Sequence, residues 1–267
     1  MAERRREGLI AALGLVAGFA SSFLGIGGGL VIVPVLMGVL GFPIKKAVGT
    51  SLATIVLVSI VGVSTESVVK WSNIHWTMGL ALTVGSLLGS WMGSGVLKRL
   101  PEAPLRIVYT LFLVFAAWRM FSSASASDGS GLLSIGESAP LAAALVLVTG
   151  IVAGVSSILF GIGGGIVMVP ALSLLFAEFT FHAARATSLV TIIPTSAYGA
   201  LQHRRMGTVD LSVAKRLVPF GLLGAVLGVL SVNRIPARPC RITFAVFLVV
   251  AAGRLLMMAR RPSSGTA

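Results

Sequence analysis

From Ala139 to Phe160 the chain runs for 22 residues without a charged side chain and without alternating polar and apolar positions. Roughly 18 or more such residues are the usual mark of a helix that crosses a hydrocarbon core of about 30 Å. Similar runs, about 14 to 22 residues long, recur along the sequence. A β-barrel is excluded, because its segments of about ten residues alternate. Composition agrees: 56% of residues are hydrophobic and 11% charged, against about a quarter charged in a soluble domain. The bilayer is the expected solvent.

The net charge of +13 would suggest nucleic acid in a soluble chain. Here the Lys and Arg residues cluster between apolar runs, which is the pattern of membrane orientation. Arg4, Arg5 and Arg6 predict a cytoplasmic N-terminus in a multi-pass protein of the cell inner membrane, and nucleic acid is not an expected partner. The same tally puts Lys45, Lys46, Lys98, Arg99, Arg204, Arg205, Arg260 and Arg261 inside, against Arg234, Arg238 and Arg241 outside. The single cysteine, Cys240, excludes an intramolecular disulfide and a multi-cysteine metal site. It reads as packing. Arg4 to Arg6 followed by Leu9–Phe19 superficially resembles a cleavable signal, but the stretch recurs inside the chain, so no cleavage is expected.

The chain is written twice. Gly18–Leu36 reads GFASSFLGIGGGLVIVPVL, and Gly154–Leu172 reads GVSSILFGIGGGIVMVPAL. Gly25 thus pairs with Gly161 and Pro34 with Pro170. Phe42, Thr50, Ser51 and Leu52 pair with Phe179, Thr187, Ser188 and Leu189; Arg99, Pro101, Arg106 and Arg119 pair with Arg234, Pro236, Arg241 and Arg254. One-residue slips over nearly the full length mean duplication. Each half holds five apolar segments, at about 8–24, 28–42, 47–65, 76–97 and 104–121, then 139–160, 164–177, 186–202, 211–232 and 239–258. The chain divides into a first membrane repeat (1–121), a Ser/Gly-rich linker (122–138), expected on the non-cytoplasmic side, and a second membrane repeat (139–267).

An odd number of crossings inverts the second copy relative to the first. The parity holds if the first two segments of each half cross completely or jointly make one crossing. The expected fold is an all-α polytopic membrane helix bundle of two homologous, inverted five-segment repeats with glycine-interrupted helices. Transporters of this design bind substrate between the repeats, near the midplane.

The second segment of each half has about 14 residues and spans roughly 21 Å, too short to cross comfortably. The uncharged GIGGG link before it must therefore be buried in protein or line an aqueous cavity. Gly25, Gly27, Gly28 and Gly29, with Gly161, Gly163, Gly164 and Gly165, let a ligand approach the backbone. The helix that follows offers free amide donors at its positive end, which suits an anion. Ser21, Ser22, Ser156 and Ser157, about one turn earlier, and Thr50, Ser51, Thr187 and Ser188, at the starts of the third segments, are candidate hydroxyl donors to the same substrate. The bland alternative is that small residues only let helices pack closely. Pro34 and Pro170 read as kinks or ends of the short helices. As a nucleotide motif GIGGG is weak, lacking both the last glycine of GxGxxG and the GK[ST] of a P-loop.

The paired GIGGG blocks, each with a proline nine residues after its first glycine and a TSL beyond, resemble the sulfite exporter TauE/SafE family of membrane permeases over nearly the whole chain. The resemblance implies transport of small sulfur oxyanions or organosulfonates such as sulfite or sulfoacetate. Tyr198, Gly199 and Gly207–Asp210 look family-like in the second half only; the first half has Asn73, Ile74 and His75 there.

Ionisable groups inside membrane segments are functional suspects. Glu66 and His203 occupy similar places in the two halves. Lys46 and Arg185 flank the threonines, positioned to attract an anion from the aqueous side. These four are the candidates for coupling or gating, with His203 a carrier of a coupled proton; the bland reading of each is a solvated interfacial side chain. His75 and His182 read as loop residues. Trp71, Trp76, Trp91 and Trp118 read as interfacial anchors or packing. Phe23 and Phe160 would favour larger sulfonates if they lined the pocket. No constellation of acid, base, nucleophile or metal ligands is present, so no enzyme, cofactor or metal is expected. The expected partners are a small anionic substrate and the lipid bilayer, with a coupling proton or ion and a second copy in a homo-oligomer as candidates. A secondary permease is the leading function; a passive anion channel and a structural membrane partner are the alternatives.

Overall fold

The computed structural model describes residues 2–99 and 139–259 and, between them, positions 110, 111, 114, 115, 117, 118, 121 and 133. The first repeat's expected fifth segment and the linker therefore lie outside the described residues, apart from those positions. Nine α-helices are described: α1 (Ala2–Leu24), α2 (Gly29–Leu40), α3 (Ile44–Lys70), α4 (Trp76–Arg99), α5 (Ala139–Phe160), α6 (Gly165–Leu175), α7 (Phe181–Arg205), α8 (Leu211–Val232) and α9 (Ala237–Ala259). A 3₁₀ turn, Trp71–Asn73, precedes α4. Four of these helices are long and apolar enough to cross a bilayer: α1, α3, α5 and α8. In α7, Thr187, Ser188, Thr191, Thr195 and Ser196 are buried within the protein, which removes the need for an apolar surface all round.

The bundle is turned inside out relative to a soluble domain. Val84, Leu88, Trp91, Val148, Leu223, Val249 and Val250 are among many large apolar side chains on its exterior, whereas serines, threonines, a glutamate, two arginines and a histidine are buried within. A surface of that kind needs lipid around it.

α3 and α7, the third helices of the two repeats, pack side by side at the centre. Gly49 of α3 lies against His203, Leu52 against Gly199, and Gly62 against Leu189. Positions rise along one helix as they fall along the other, so equivalent helices run antiparallel and the repeats are inverted. Around them the halves exchange partners: α1 packs on α8, and α4 on α5. These outer pairs are parallel and close. Cβ atoms on Gly14, Gly18, Gly224 or Gly228 would strike backbone across the α1–α8 seam, as would those on Gly85, Gly89, Gly150 or Gly154 across the α4–α5 seam. Small residues at four-residue spacing permit such approach in membranes.

α2 folds back on α1. Gly28 sits against the Ala17 carbonyl, and Ile32, Val33 and Leu36 share a core cluster with Ile10, Leu13 and Ala17. Gly164 sits against the Ala153 carbonyl in the same way. Helices of 12 and 11 residues rise roughly 18 and 16 Å, well short of a hydrocarbon core of about 30 Å. Each pair is a hairpin that returns to the face it entered. A returning hairpin contributes an even number of crossings at any depth, so the odd count survives in the re-entrant case that the stated condition left out, whereas a pair making one joint crossing would give four and lose the inversion. Pro34 and Pro170 lie inside α2 and α6, which continue to Leu40 and Leu175; the prolines do not end them. Leu133, in the expected linker, bridges to Phe176 at the end of α6.

Candidate functional site

The tips of the two hairpins meet. Gly25, Gly27 and Gly28, and likewise Gly161, Gly163 and Gly164, all have positive φ, which brings the chain round within a few residues. A Cβ on Gly29 would overlap the Gly161 carbonyl oxygen, and one on Gly165 the Gly25 carbonyl oxygen. Only glycine lets the turns cross at this separation. Since the tips are related by the pseudo-twofold and touch, they lie at its axis, midway between the ends of the inverted repeats. Both are fully buried, with Ile26 and Ile162 at 0% exposure.

The TSL segments clip each turn to the opposite repeat. Ser51 Oγ donates to the Gly161 carbonyl at 2.9 Å, and Ser188 Oγ to the Gly25 carbonyl at 2.8 Å. Thr50 Oγ1 accepts the Asp210 amide at 3.0 Å, and Thr187 Oγ1 the His75 amide at 3.1 Å. Thr50 also donates to the Lys46 carbonyl. These four hydroxyls are therefore already engaged in holding the halves together.

A second set of hydroxyls is unspent. Ser21, Ser22, Ser157, Ser59 and Ser196 are each 0% exposed, and none of their Oγ atoms has a hydrogen-bond partner. Ser21 Cβ faces Gly28, Ser22 Oγ faces Gly62, and Ser196 Oγ faces Gly163. Ser59 and Ser196 stand one helical turn beyond Ile55 and Ile192, whose methyls cover Gly27. A buried hydroxyl left without a partner costs about 1–3 kcal/mol, so five around one pair of turns mark a place built for a polar occupant. Ser156 does not belong to this set, since it donates to the Val152 carbonyl at 2.8 Å. Sequence reasoning missed Ser59 and Ser196. Their signal was the longer repeat TSL-x-TI-xxx-S, present at 50–59 and 187–196.

The charged candidates are not interfacial, with one exception. Glu66, Arg185 and His203 are all 0% exposed, so Arg185 does not greet an anion from water. Arg185 Nη2 pairs with Glu66 Oε2 at 2.6 Å and Nη1 donates to the Ser22 carbonyl at 2.8 Å. Asn73 and Asn233 donate to the two Glu66 oxygens at 2.7 and 3.0 Å. His203 sits at the pseudo-symmetric place. Its Nδ1 meets Thr208 Oγ1 at 2.9 Å and its Nε2 the Ile158 carbonyl at 3.2 Å. Lys46 is the exposed one, bridged to Asp210 at 2.9 Å at the same end of the molecule as His203. The Ser212 hydroxyl and then Lys46 hold the Asp210 carboxyl down at about 2. Asp210 also caps α8 through the Val213 amide.

His75 stacks on Phe179 at 4.4 Å, and His182 lies in the first turn of α7. Trp71, Trp91 and Trp118 are exposed, as anchors should be, and Trp76 is half-buried. Phe23 and Phe160 pack into the core cluster, and Cys240 is buried with them.

The family model described as "Sulfite exporter TauE/SafE" matches residues 9–148 and again residues 145–267, once for each repeat. The chain is 31% identical over 248 residues to the "Probable membrane transporter protein YunE" of Bacillus subtilis, covering 85% of this chain and 88% of that one. It is 32% identical over 202 residues to a "Probable membrane transporter protein" of Methanocaldococcus jannaschii, covering 72% and 70%. A third relative, "Probable membrane transporter protein YdhB" of Bacillus subtilis, is 26% identical and matches 92% of this chain and 96% of its own length. No solved structure matches.

Proposed function

Because the chain belongs to the sulfite exporter TauE/SafE family and is a multi-pass membrane transporter, we propose that it carries small sulfur oxyanions or organosulfonates by alternating access around the crossed glycine turns. The observation that carries this reading is the group of five buried, unpartnered serine hydroxyls around the turns. Two short helices, α2 and α6, begin there; Val31 and Val167 donate back to the Gly28 and Gly164 carbonyls, which leaves the amides of Gly29 and Leu30, and of Gly165 and Ile166, without an acceptor within their own helix. Amides and hydroxyls together are donors without compensating negative charge, which suits an oxyanion. The tips are sealed from both faces, so passage requires one repeat to move against the other, and this favours a carrier over an open pore. The Lys46–Asp210 bridge holds the start of α3 and the α7–α8 loop at one end, which groups Lys45, Lys46, Arg204 and Arg205 on one side and supports a cytoplasmic N-terminus in the inner membrane.

The test is uptake and counterflow of radiolabelled sulfite, thiosulfate and a small sulfonate in proteoliposomes. Saturable uptake accelerated by unlabelled anion on the far side is expected. Linear flux without counterflow would mean a pore, and no flux of any of them would remove the sulfur-anion reading.

A further inference from the structure

The repeat comparison isolates one feature the shared scaffold does not need. Arg185 corresponds to Val48 in the first half, and Glu66 to His203 in the second. At the site of Val48 the same helix packs against the same kind of turn, with Val48 against Gly161 as Arg185 is against Gly25. The carbonyl that accepts from Arg185 in one half, Ser22, corresponds to Ile158, which meets His203 in the other. The fold is thus built at one tip without the ion pair and at the other with it. A fully buried ion pair is no evidence of stability, since its desolvation penalty can equal its attraction. Arg185 also keeps one donor in reserve. Its Nε is buried without a partner, as is Ser22 Oγ, which points at Gly62 one turn before Glu66 on α3.

We propose that Arg185 and Glu66 form an exchangeable pair that couples anion movement to a proton. This deepens, and rests on, the reading of the glycine tips as an anion site. In the resting state Glu66 carboxylate neutralises Arg185. When an anion arrives at the Gly25 tip, it takes Arg185 through the guanidinium and the Ser22 hydroxyl. Glu66 accepts a proton from water, the Arg185–Glu66 pair breaks and the Arg185–anion pair forms. A monoanion and one proton leave the net charge of the site unchanged, whereas an anion alone would leave a buried negative charge uncompensated. Release reverses both steps. The neutral carboxyl keeps the Asn73 amide on Oε1 and carries its proton on Oε2, the oxygen that Arg185 vacates.

The groups facing the pair are few. Beside Arg185 stand the Cys240 thiol of α9, buried Arg241 next to it, which has a partner of its own, and His182 one turn earlier on α7. Among the described residues the two asparagines stand around Glu66; Lys70 and Arg234, next along the chain, are exposed. Glu66 is the one carboxylate in this set.

The experiment uses the full chain in proteoliposomes with methanesulfonate, the monoanion that one proton balances, and thiosulfate, a dianion that one proton leaves one charge short; neither titrates near neutral pH. A pH gradient, acid on the side of the labelled anion, should accelerate wild-type uptake. Glu66→Gln should lose that acceleration and net accumulation while keeping anion counterflow, because exchange needs no proton. Proton uptake by the purified wild-type protein on adding methanesulfonate, read with an indicator dye, is expected as well and does not depend on any variant folding. Wild-type flux that ignores the pH gradient, with no proton uptake, would overturn the coupling and leave anion transport standing. No flux of either anion in the wild type would instead overturn the transport reading and the coupling with it.

Discussion

Four glycines share one backbone conformation and differ in what surrounds them. Gly28 and Gly164 have φ of 76° and 87°, Gly41 and Gly207 of 66° and 68°. A Cβ on Gly28 would lie 2.6 Å from the Ala17 carbonyl oxygen and one on Gly164 2.8 Å from that of Ala153, whereas at Gly41 and Gly207 nothing lies within 4 Å. Alanine at Gly41 or Gly207 therefore costs only the left-handed penalty of about 1–2 kcal/mol. At Gly28 or Gly164 the overlap with a backbone oxygen adds about 1–3 kcal/mol, for roughly 2–5 kcal/mol together. With a shift of about 2–4 °C per kcal/mol, the loop variants should melt a few degrees below wild type and the hairpin variants at least twice as far below. Fluorescence-detected size exclusion after heating in detergent reads this order. Equal shifts in all four would refute the folding of α2 on α1 and of α6 on α5.

Three further outcomes are expected. Arg185→Met alone should lower stability by about 3–5 kcal/mol by stranding Glu66, and adding Glu66→Gln should recover most of it; thermal melts of both check this. Asp210 is held at about 2 by Ser212 and Lys46, below its ordinary value of 3.8, so its contribution is complete above that ordinary value and is lost as pH falls from about 4 through about 2. Asp210→Asn should flatten that acid limb in melting temperature against pH. In a Cys240→Ala background, Lys70→Cys and Arg205→Cys, at the exposed C-terminal ends of antiparallel α3 and α7, should react with an impermeant maleimide from opposite faces of sealed vesicles; labelling from the same face would refute the inversion.

Much of this architecture was legible because duplication repeats its own signals. The paired GIGGG turns, the short helices after them and the inversion all follow from local sequence and parity. Helix ends did not. Hydropathy marked 47–65 and 186–202, but α3 and α7 run over Ile44–Lys70 and Phe181–Arg205, because hydropathy reports the apolar slab while helices continue into polar ends such as Lys45 and Arg204. The role of the TSL hydroxyls was hidden for a different reason. Ser51 and Ser188 bond turns 110 and 163 residues away, and nothing near them in sequence names that partner. Glu66 and Arg185, 119 residues apart, looked interfacial one at a time, and their burial makes sense only as a pair. Ser59 and Ser196 stood inside apolar helical runs, where a serine usually reads as packing.

The central claim is that the unpartnered hydroxyls at the crossed turns exist for the anion and not for the fold. Replacing Ser59 and Ser196 together by alanine removes no hydrogen bond and relieves two buried polar groups. The measurement is anion counterflow in proteoliposomes beside melting temperature for this double variant. The account predicts a melting temperature equal to or above wild type with counterflow lost or strongly reduced. Full counterflow in a well-folded double variant would contradict it and return the serines to packing.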